Sequence, residues 1–186
     1  MLPKINIITR TGTRENCFSI LKKSLQTQTF KNYVHYKTND NPFNSFLQNE
    51  KNVISVTHLK SERCKKIPCP YNRYLNEAVR EITDGWVLII DDDAKFINDR
   101  FLQELATLCS KKKPSEIFLY PIYFRSRKQI FPLNHSLRIG TFDMASICIH
   151  SSVLKQYNFT GKCGADFELI HFLQRVKFDR ICTKSY

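Results

Sequence analysis

Short apolar runs, separated by polar turns, alternate with segments of helical periodicity in the first half of the chain. Strand-like runs occupy residues 5–9, 33–37, 53–56 and 86–90. Between them, Phe18, Leu21 and Leu25 share one helix face, and residues 70–82 repeat apolar side chains at helical spacing. Strands that alternate with helices predict a parallel, doubly wound sheet.

The second half of the chain is richer in strands. Its pattern predicts strands over residues 117–124, 144–149 and 178–182, a hairpin that returns through residues 130–131, and helices over residues 98–113, 151–157 and 165–176. This order indicates additional mixed or antiparallel pairing. The predicted fold class is therefore α/β, with a mixed, mostly parallel central sheet flanked by helices.

The most informative run is Trp86 to Ile90, five apolar residues that lead directly into three aspartates. An unbroken apolar run of this length predicts a strand buried on both faces. Adjacent carboxylates near an apolar interior need a cation or hydrogen-bond donors to offset their charge. In an extended chain Asp91 and Asp93 point to the same side, about 6.6 Å apart, and Asp92 points away. The pattern indicates a divalent metal site, and a solvated acidic turn is the alternative.

Composition limits the classes of function. With 186 residues and no long apolar stretch, the chain is expected to form one domain without a membrane span, in the cytoplasm or, if viral, the host cytoplasm. Seven cysteines without zinc-site spacing are expected to be mostly reduced packing residues. The net charge of +12 favours a polyanionic partner, but the basic residues are scattered, so nucleic acid is not the expected one.

Four features, in this order along the chain, resemble the GT-A-fold glycosyltransferases of the family 2 type. They are the opening strand and turn over residues 5–14, the segment 71–76 that leads through 84–86 into the strand, the trio Asp91 to Asp93, and the segment 164–169. The trio resembles the DxD signature, and the last segment resembles a Glu-Asp element that opens a helix. Ala165 replaces the usual acidic residue, and the C-terminal Gln-x-x-Arg-Trp element is missing, which argues against a processive polysaccharide synthase.

The resemblance implies transfer of a sugar from a nucleotide-diphosphate donor, with UDP preferred, to a hydroxyl of a glycan, glycoprotein or other acceptor. Asp93, assisted by Asp91, is the expected ligand of Mn²⁺ or Mg²⁺, because carboxylate oxygens suit hard cations. The expected contacts to the nucleotide sugar are Thr9, Arg10, Thr11, Arg14, Asp40, Asn72, Asp91 and Asp92. The alternative is that the two arginines are surface charges and Asp40 is a turn residue.

Inverting transfer needs a base that takes the proton of the attacking hydroxyl, and Asp166 is the candidate. A carboxylate in the first turn of a helix is kept ionised by the helix dipole, although an ordinary helix N-terminus has the same pattern. Asp143 is expected to bind acceptor hydroxyls, and His150 is expected to reach the diphosphate. Glu168 is expected to be a supporting or surface group.

Residues 1–97 are expected to form the nucleotide-binding half of one domain and residues 98–186 the acceptor-binding half. Two other classes remain open. A nucleotidyl or phosphoryl transferase also uses paired carboxylates, but the chain has no glycine-rich phosphate loop. A noncatalytic basic module that binds nucleic acid would not depend on the aspartates.

Overall fold

The computed structural model describes residues 1–60, 68–124, 129–131, 143–175 and 180–182. Its strands are β1 Ile5–Thr11, β2 Tyr33–Asn39, β3 Val53–Ser55, β4 Trp86–Ile89, β5 Ile117–Leu119, β6 Ile122–Phe124, β7 Gln129–Phe131, β8 Ile147–His150 and β9 Arg180–Cys182. Seven of them form one sheet in the order β3-β2-β1-β4-β8-β5-β9. β8 runs antiparallel to β4 and β5, and the other neighbouring pairs are parallel. The predicted mixed, mostly parallel sheet is confirmed.

Helices cover both faces of this sheet. They are α1 Glu15–Gln26, α2 Thr57–Lys60, α3 Tyr74–Glu81, α4 Phe101–Cys109, α5 Ser151–Leu154 and α6 Ala165–Arg175. Short 3₁₀ turns at Ser45–Leu47, Pro70–Arg73 and Met144–Ser146 precede β3, α3 and β8. No helix of the described residues has the length and apolarity to cross a lipid bilayer.

The core consists of two apolar layers, one on each face of the sheet. Val87 and Ile89 of β4 contribute to the layer under α3 and α6, while Trp86 and Leu88 contribute to the layer under α1 and α4. All four residues of β4 are buried. The unbroken apolar run therefore follows from burial of both faces of this strand.

The strand predicted over residues 117–124 is divided in the structure. β5 pairs in the main sheet with β8 and β9, whereas β6 pairs antiparallel with β7 in a separate two-stranded sheet. Pro121 lies between β5 and β6. Because proline has no backbone N–H, it cannot continue a hydrogen-bonded ladder, and the chain changes sheet at this point.

Gly85 fixes the start of β4. Its φ is +100°, and a Cβ at this position would lie 2.5 Å from the carbonyl oxygen of Lys4, so only glycine fits. The same carbonyl accepts a hydrogen bond of 3.0 Å from the N–H of Trp86. This contact aligns Ile5 with Trp86 and sets the register between β1 and β4.

Candidate active site

The three aspartates occupy a tight turn at the carboxyl end of β4, here called the aspartate turn (Asp91 to Asp93). The N–H of Ile90 still donates to the carbonyl of Ile8 at 2.9 Å, and the N–H of Ala94 then donates to the carbonyl of Asp91 at 3.1 Å. The turn lies beside the end of β1, because β1 and β4 are parallel neighbours. Ligands of open α/β sheets bind at this edge.

Arg10, near the end of β1, neutralises the first aspartate. Its Nε and Nη2 donate to Asp91 at 2.7–2.9 Å, and its Nη1 donates to the side-chain oxygen of Asn72 at 2.5 Å. The guanidinium also lies 5.1 Å from the ring centroid of Tyr71. Arg10 therefore joins the aspartate turn to the 3₁₀ turn that carries Tyr71 and Asn72.

Arg14, which precedes α1, neutralises the other two aspartates. It forms ion pairs with Asp92 and, at 2.7 Å, with Asp93. Burial opposes the charged form of Arg14, but the attraction of both carboxylates outweighs it and raises the arginine pKa. Burial also raises the pKa of Asp92, which accepts a hydrogen bond of 3.3 Å from the N–H of Gly12.

A cavity of about 170 Å³ opens beside the aspartate turn. Its functional side chains come from five places along the chain and include Arg10, Tyr71, Asn72, Asp91, Asp143 and Asp166. These six side chains thus include three carboxylates and one guanidinium, all around one polar cavity. Such an arrangement offers several acceptors to the hydroxyl groups of a sugar.

Asp143 reaches this cavity because β8 runs antiparallel to β4. The beginning of β8, and the 3₁₀ turn before it, therefore lie at the edge where β4 ends. The Asp143 carboxylate accepts a hydrogen bond of 2.7 Å from the N–H of Ala145. Burial raises its pKa, the charges of Asp91 and Asp166 raise it further, and the Ala145 hydrogen bond and Arg10 only partly oppose this.

Asp166 is in the first turn of α6 and lines the same cavity as Asp91. Gly164, with a φ of +83°, reverses the chain before the helix and accepts hydrogen bonds from the N–H groups of Phe167 and Glu168. Glu168 itself accepts a hydrogen bond of 2.8 Å from Thr160. It does not line the cavity.

A disulfide joins Cys69 to Cys163, with Cα atoms 5.3 Å apart. Hydrogen bonds of 2.9 Å run alongside it, from the N–H of Cys69 to the carbonyl of Gly161 and from the side chain of Asn72 to the carbonyl of Lys162. We call residues 69–76 and 159–166 the disulfide-linked wall of the cavity. Cysteine spacing could not reveal this pair, because 94 positions separate its members.

The prediction that the cysteines are mostly reduced is therefore corrected for this pair. Cys17, Cys109 and Cys148 are free, as expected, and the last two are buried in the core. Cys69 and Cys163 are oxidised to a disulfide.

Comparison with known proteins identifies the fold. No family model matches the sequence, and no curated protein matches it either. Among solved structures, TarS of S. aureus superimposes on 98% of the chain with a TM-score of 0.70 and 16% identity. The mannosyltransferase PcManGT of Pyrobaculum calidifontis, in complex with GDP-Man and Mn²⁺, superimposes on 100% with a TM-score of 0.66 and 14% identity.

The chain has a GT-A-like glycosyltransferase fold. This confirms the resemblance and the fold class predicted from the sequence. A shorter form of TarS, residues 1–349 with UDP-GlcNAc, gives a TM-score of 0.63 at 17% identity. The chain spans 36% of the longer TarS chain, 57% of the shorter one and 56% of PcManGT.

Five of the residues expected to contact the nucleotide are buried within this GT-A-like fold, and one of them, Asn72, still lines the cavity. Thr9 is a fully buried residue inside β1, with its hydroxyl 2.8 Å from a ring nitrogen of His35. Thr11 is also in β1, because the strand continues two residues beyond its predicted end, and its hydroxyl donates to the carbonyl of Thr38. Both threonines stabilise the sheet, and the predicted end of the first strand at Thr9 is corrected to Thr11.

Asp40 and Asp92 are at the correct edge of the sheet but face the protein. Asp40, directly after β2, is 4% exposed and accepts a hydrogen bond of 3.2 Å from the hydroxyl of Tyr74. Asp92 has no exposed surface and holds the turn of Gly12 and Arg14. Burial of Asp92 does not favour the expected contact with the nucleotide, which stays a prediction.

His150 is at the wrong edge of the sheet for the predicted contact with a diphosphate. It is opposite Trp86, at the start of β4, whereas the aspartates follow the end of that strand. Its ring lies 3.4 Å from Asp84, and burial lowers its pKa. The antiparallel direction of β8 explains the error, because it brings the first residues of that strand to the aspartates and carries the last one away.

Proposed function

We propose that the chain transfers a glycosyl group from a nucleotide-diphosphate sugar to an acceptor hydroxyl, with inversion at the anomeric carbon. The observation that carries the proposal is the cavity in which Asp91, Asp143 and Asp166 meet beside Arg10. The fold supports it, since TarS forms complexes with UDP and UDP-GlcNAc, and PcManGT forms one with GDP-Man and Mn²⁺. A UDP-sugar is the preferred donor.

The donor diphosphate belongs at the aspartate turn in this proposal. Arg10 and Arg14 supply positive charge there, and their hydrogen bonds to aspartates can be exchanged for hydrogen bonds to phosphate oxygens. Asp91 and Asp93 are partly exposed, with 43% and 53% of their side-chain surface accessible. Arg10 and Asp91 then act on the donor, and buried Asp92 keeps Arg14 in place.

Asp91 and Asp93 also fit a divalent metal ion. Their carboxylate oxygens are suitable ligands for Mn²⁺ or Mg²⁺, and they are accessible where the diphosphate would supply the remaining oxygens. When bound, such an ion neutralises the charge that accumulates on the departing diphosphate. Arg10 and Arg14 would help to neutralise the same charge.

Asp166 is the base that takes the proton of the acceptor hydroxyl in this proposal. It lines the cavity from the first turn of α6. Asp143 accepts a hydrogen bond from another acceptor hydroxyl. Residues 1–97 thus carry the donor contacts, and residues 98–186 carry both acceptor carboxylates.

The test measures thermal stabilisation by a panel of nucleotide diphosphates with and without Mn²⁺, and then hydrolysis and transfer of the matching sugar donor. A ligand that binds the folded protein raises its melting temperature, by an amount that grows with its concentration over its Kd. We expect stabilisation by one nucleoside diphosphate, and sugar transfer that stops on chelation and in Asp93→Ala. Asp84→Ala is the matched control, because Asp84 has an 84% exposed side chain at the other end of β4.

The products distinguish the classes of enzyme. A glycosyltransferase releases the nucleoside diphosphate, whereas a nucleotidyl transferase releases pyrophosphate. Absence of stabilisation by every nucleotide, together with salt-dependent nucleic-acid binding that Asp93→Ala leaves unchanged, would favour the noncatalytic basic module.

A further inference from the structure

The disulfide joins two segments that each carry side chains of the cavity. Cys69 directly precedes the 3₁₀ turn Pro70–Arg73, which supplies Tyr71 and Asn72. Cys163 directly precedes Gly164 and lies three residues before Asp166. Each of the two cysteines is thus within three residues of a side chain that lines the cavity.

The remaining contacts along this wall are hydrogen bonds. Besides the two that flank the disulfide, Asn76 exchanges a pair of hydrogen bonds of 2.9–3.0 Å with the backbone of Phe159. Asn72 has a second role, because its side-chain oxygen accepts from Arg10, which in turn binds Asp91. A continuous set of contacts therefore runs from Asp91 to the segment that bears Asp166.

The disulfide is open to a reductant from one side. Cys163 is an exposed residue, whereas Cys69 is 5% exposed. The hydrogen bonds and the two core layers do not depend on the sulfur–sulfur bond. Reduction is therefore expected to loosen the wall, which is then joined by its hydrogen bonds alone, and to leave the fold intact.

We propose that the Cys69–Cys163 disulfide positions Asp166 relative to the donor side and makes sugar transfer sensitive to the redox state. A dithiol reductant supplies two electrons and two protons, the sulfur–sulfur bond breaks, two thiols form, and the dithiol closes its own disulfide. The oxidised form holds Asp166 at the cavity. In the reduced form residues 161–166 move more freely, and the base spends less time in reach of the acceptor. The inference rests on the proposed function for the identity of the reaction.

The experiment compares oxidised protein, protein reduced by a phosphine, and the variant Cys69→Ser/Cys163→Ser. The phosphine becomes a phosphine oxide with oxygen from water, so no thiol is added that could bind Mn²⁺. We expect the rate of transfer to fall about tenfold to hundredfold on reduction, as it does for small misplacements of reacting groups. Donor affinity should change less than the rate of transfer, because the ion pairs of Arg10 and Arg14 with the aspartate turn do not involve the disulfide-linked wall. The loss should reverse when the disulfide forms again, as checked by peptide mass spectrometry.

Cys17→Ser is the control, since Cys17 is a free, half-buried cysteine in α1. It should respond to the phosphine as the unaltered protein does, and the double serine variant should not respond at all. A transfer rate that is equal in the oxidised and reduced proteins would overturn the inference.

A second measurement does not require activity. Amide hydrogen exchange in residues 70–73 and 161–166 should become faster on reduction, while β1 and β4 remain protected. If the chain transfers no sugar but the exchange changes as described, the proposed function fails and the positioning role stands. If the exchange is unchanged, the inference fails whatever the reaction is.

Discussion

The two sides of the cavity are held by different kinds of interaction. At the aspartate turn, Arg10 and Arg14 form ion pairs with the partly exposed Asp91 and Asp93, and Arg14 also pairs with the buried Asp92. At the disulfide-linked wall, a covalent bond and amide hydrogen bonds join the segments. Exposed ion pairs contribute little to stability, and their groups exchange partners readily. A disulfide contributes more and stays closed until a reductant opens it. For the proposed function, this difference predicts a donor side that exchanges partners and an acceptor side that keeps its shape.

The strongest test of this difference is Asp166→Asn. The amide has the shape of the carboxylate but cannot take a proton at neutral pH, so transfer should fall by about a thousandfold, within the usual range for a general base. Donor affinity should remain unchanged, because Asp166 belongs to the wall. Kinetics with saturating donor, alongside direct donor binding, measure the two quantities.

Glu168→Gln serves as the companion variant, because Glu168 is two residues away and outside the cavity. It should transfer sugar at nearly the normal rate. An equal loss in both variants would show that helix charge, and not the base, is being measured.

A smaller effect is expected for substitution of Arg10, and it should lower the affinity for the donor, not the rate of transfer. Arg10→Ala removes charge-assisted hydrogen bonds, which stabilise a contact by about 1.5–3 kcal/mol, so donor affinity should fall by roughly tenfold to hundredfold. Arg10→Lys keeps the charge but not the planar fork, and should recover part of this loss. Isothermal titration with nucleoside diphosphate and Mn²⁺ measures both. Loss of rate without loss of donor affinity would instead assign Arg10 to the wall.

The smallest effect is expected at Asp143, where activity and stability should change in opposite directions. Asp143→Asn should lower transfer about tenfold, as for one lost hydrogen bond to a charged group. The variant should also melt at a higher temperature near neutral pH, because burial and two neighbouring carboxylates raise the pKa of Asp143 and make its charged form unfavourable.

The sign of the pH dependence follows from linkage. Since the folded state holds the Asp143 proton more tightly than the unfolded state, ionisation at higher pH lowers the stability of the unaltered protein. The difference in melting temperature should therefore be largest near neutral pH and disappear as the pH falls through the raised pKa. A constant difference would mean that packing, not charge, causes it.

The sequence was sufficient to predict that the aspartate turn lies beside the arginines that follow or end the first strand, because these features are local. A buried strand that ends in Asp91 to Asp93, and a first strand followed by arginines, are visible in the order of residues. Parallel strands bring their carboxyl ends to one edge of the sheet, so proximity followed from the fold class. The same reasoning ended the first strand at Thr9, whereas it continues to Thr11, since strand ends are the least certain part of a pattern.

The acceptor side could be predicted only in part, because it depends on distant segments and on strand direction. Asp143 and Asp166 line the cavity, as a resemblance to known enzymes implied. His150 was misplaced because residue order does not reveal that β8 is antiparallel. The Cys69–Cys163 pair was missed because no local spacing connects residues so far apart.

Gly85 has a consequence for residues that it does not touch. A shift of one residue in strand pairing would exchange the faces of every side chain that follows. Asp92 would then turn outward, and Asp91 and Asp93 would turn toward Gly12. The absence of a methyl group beside the carbonyl of Lys4 therefore selects which carboxylates meet solvent, about 20 Å further along the chain.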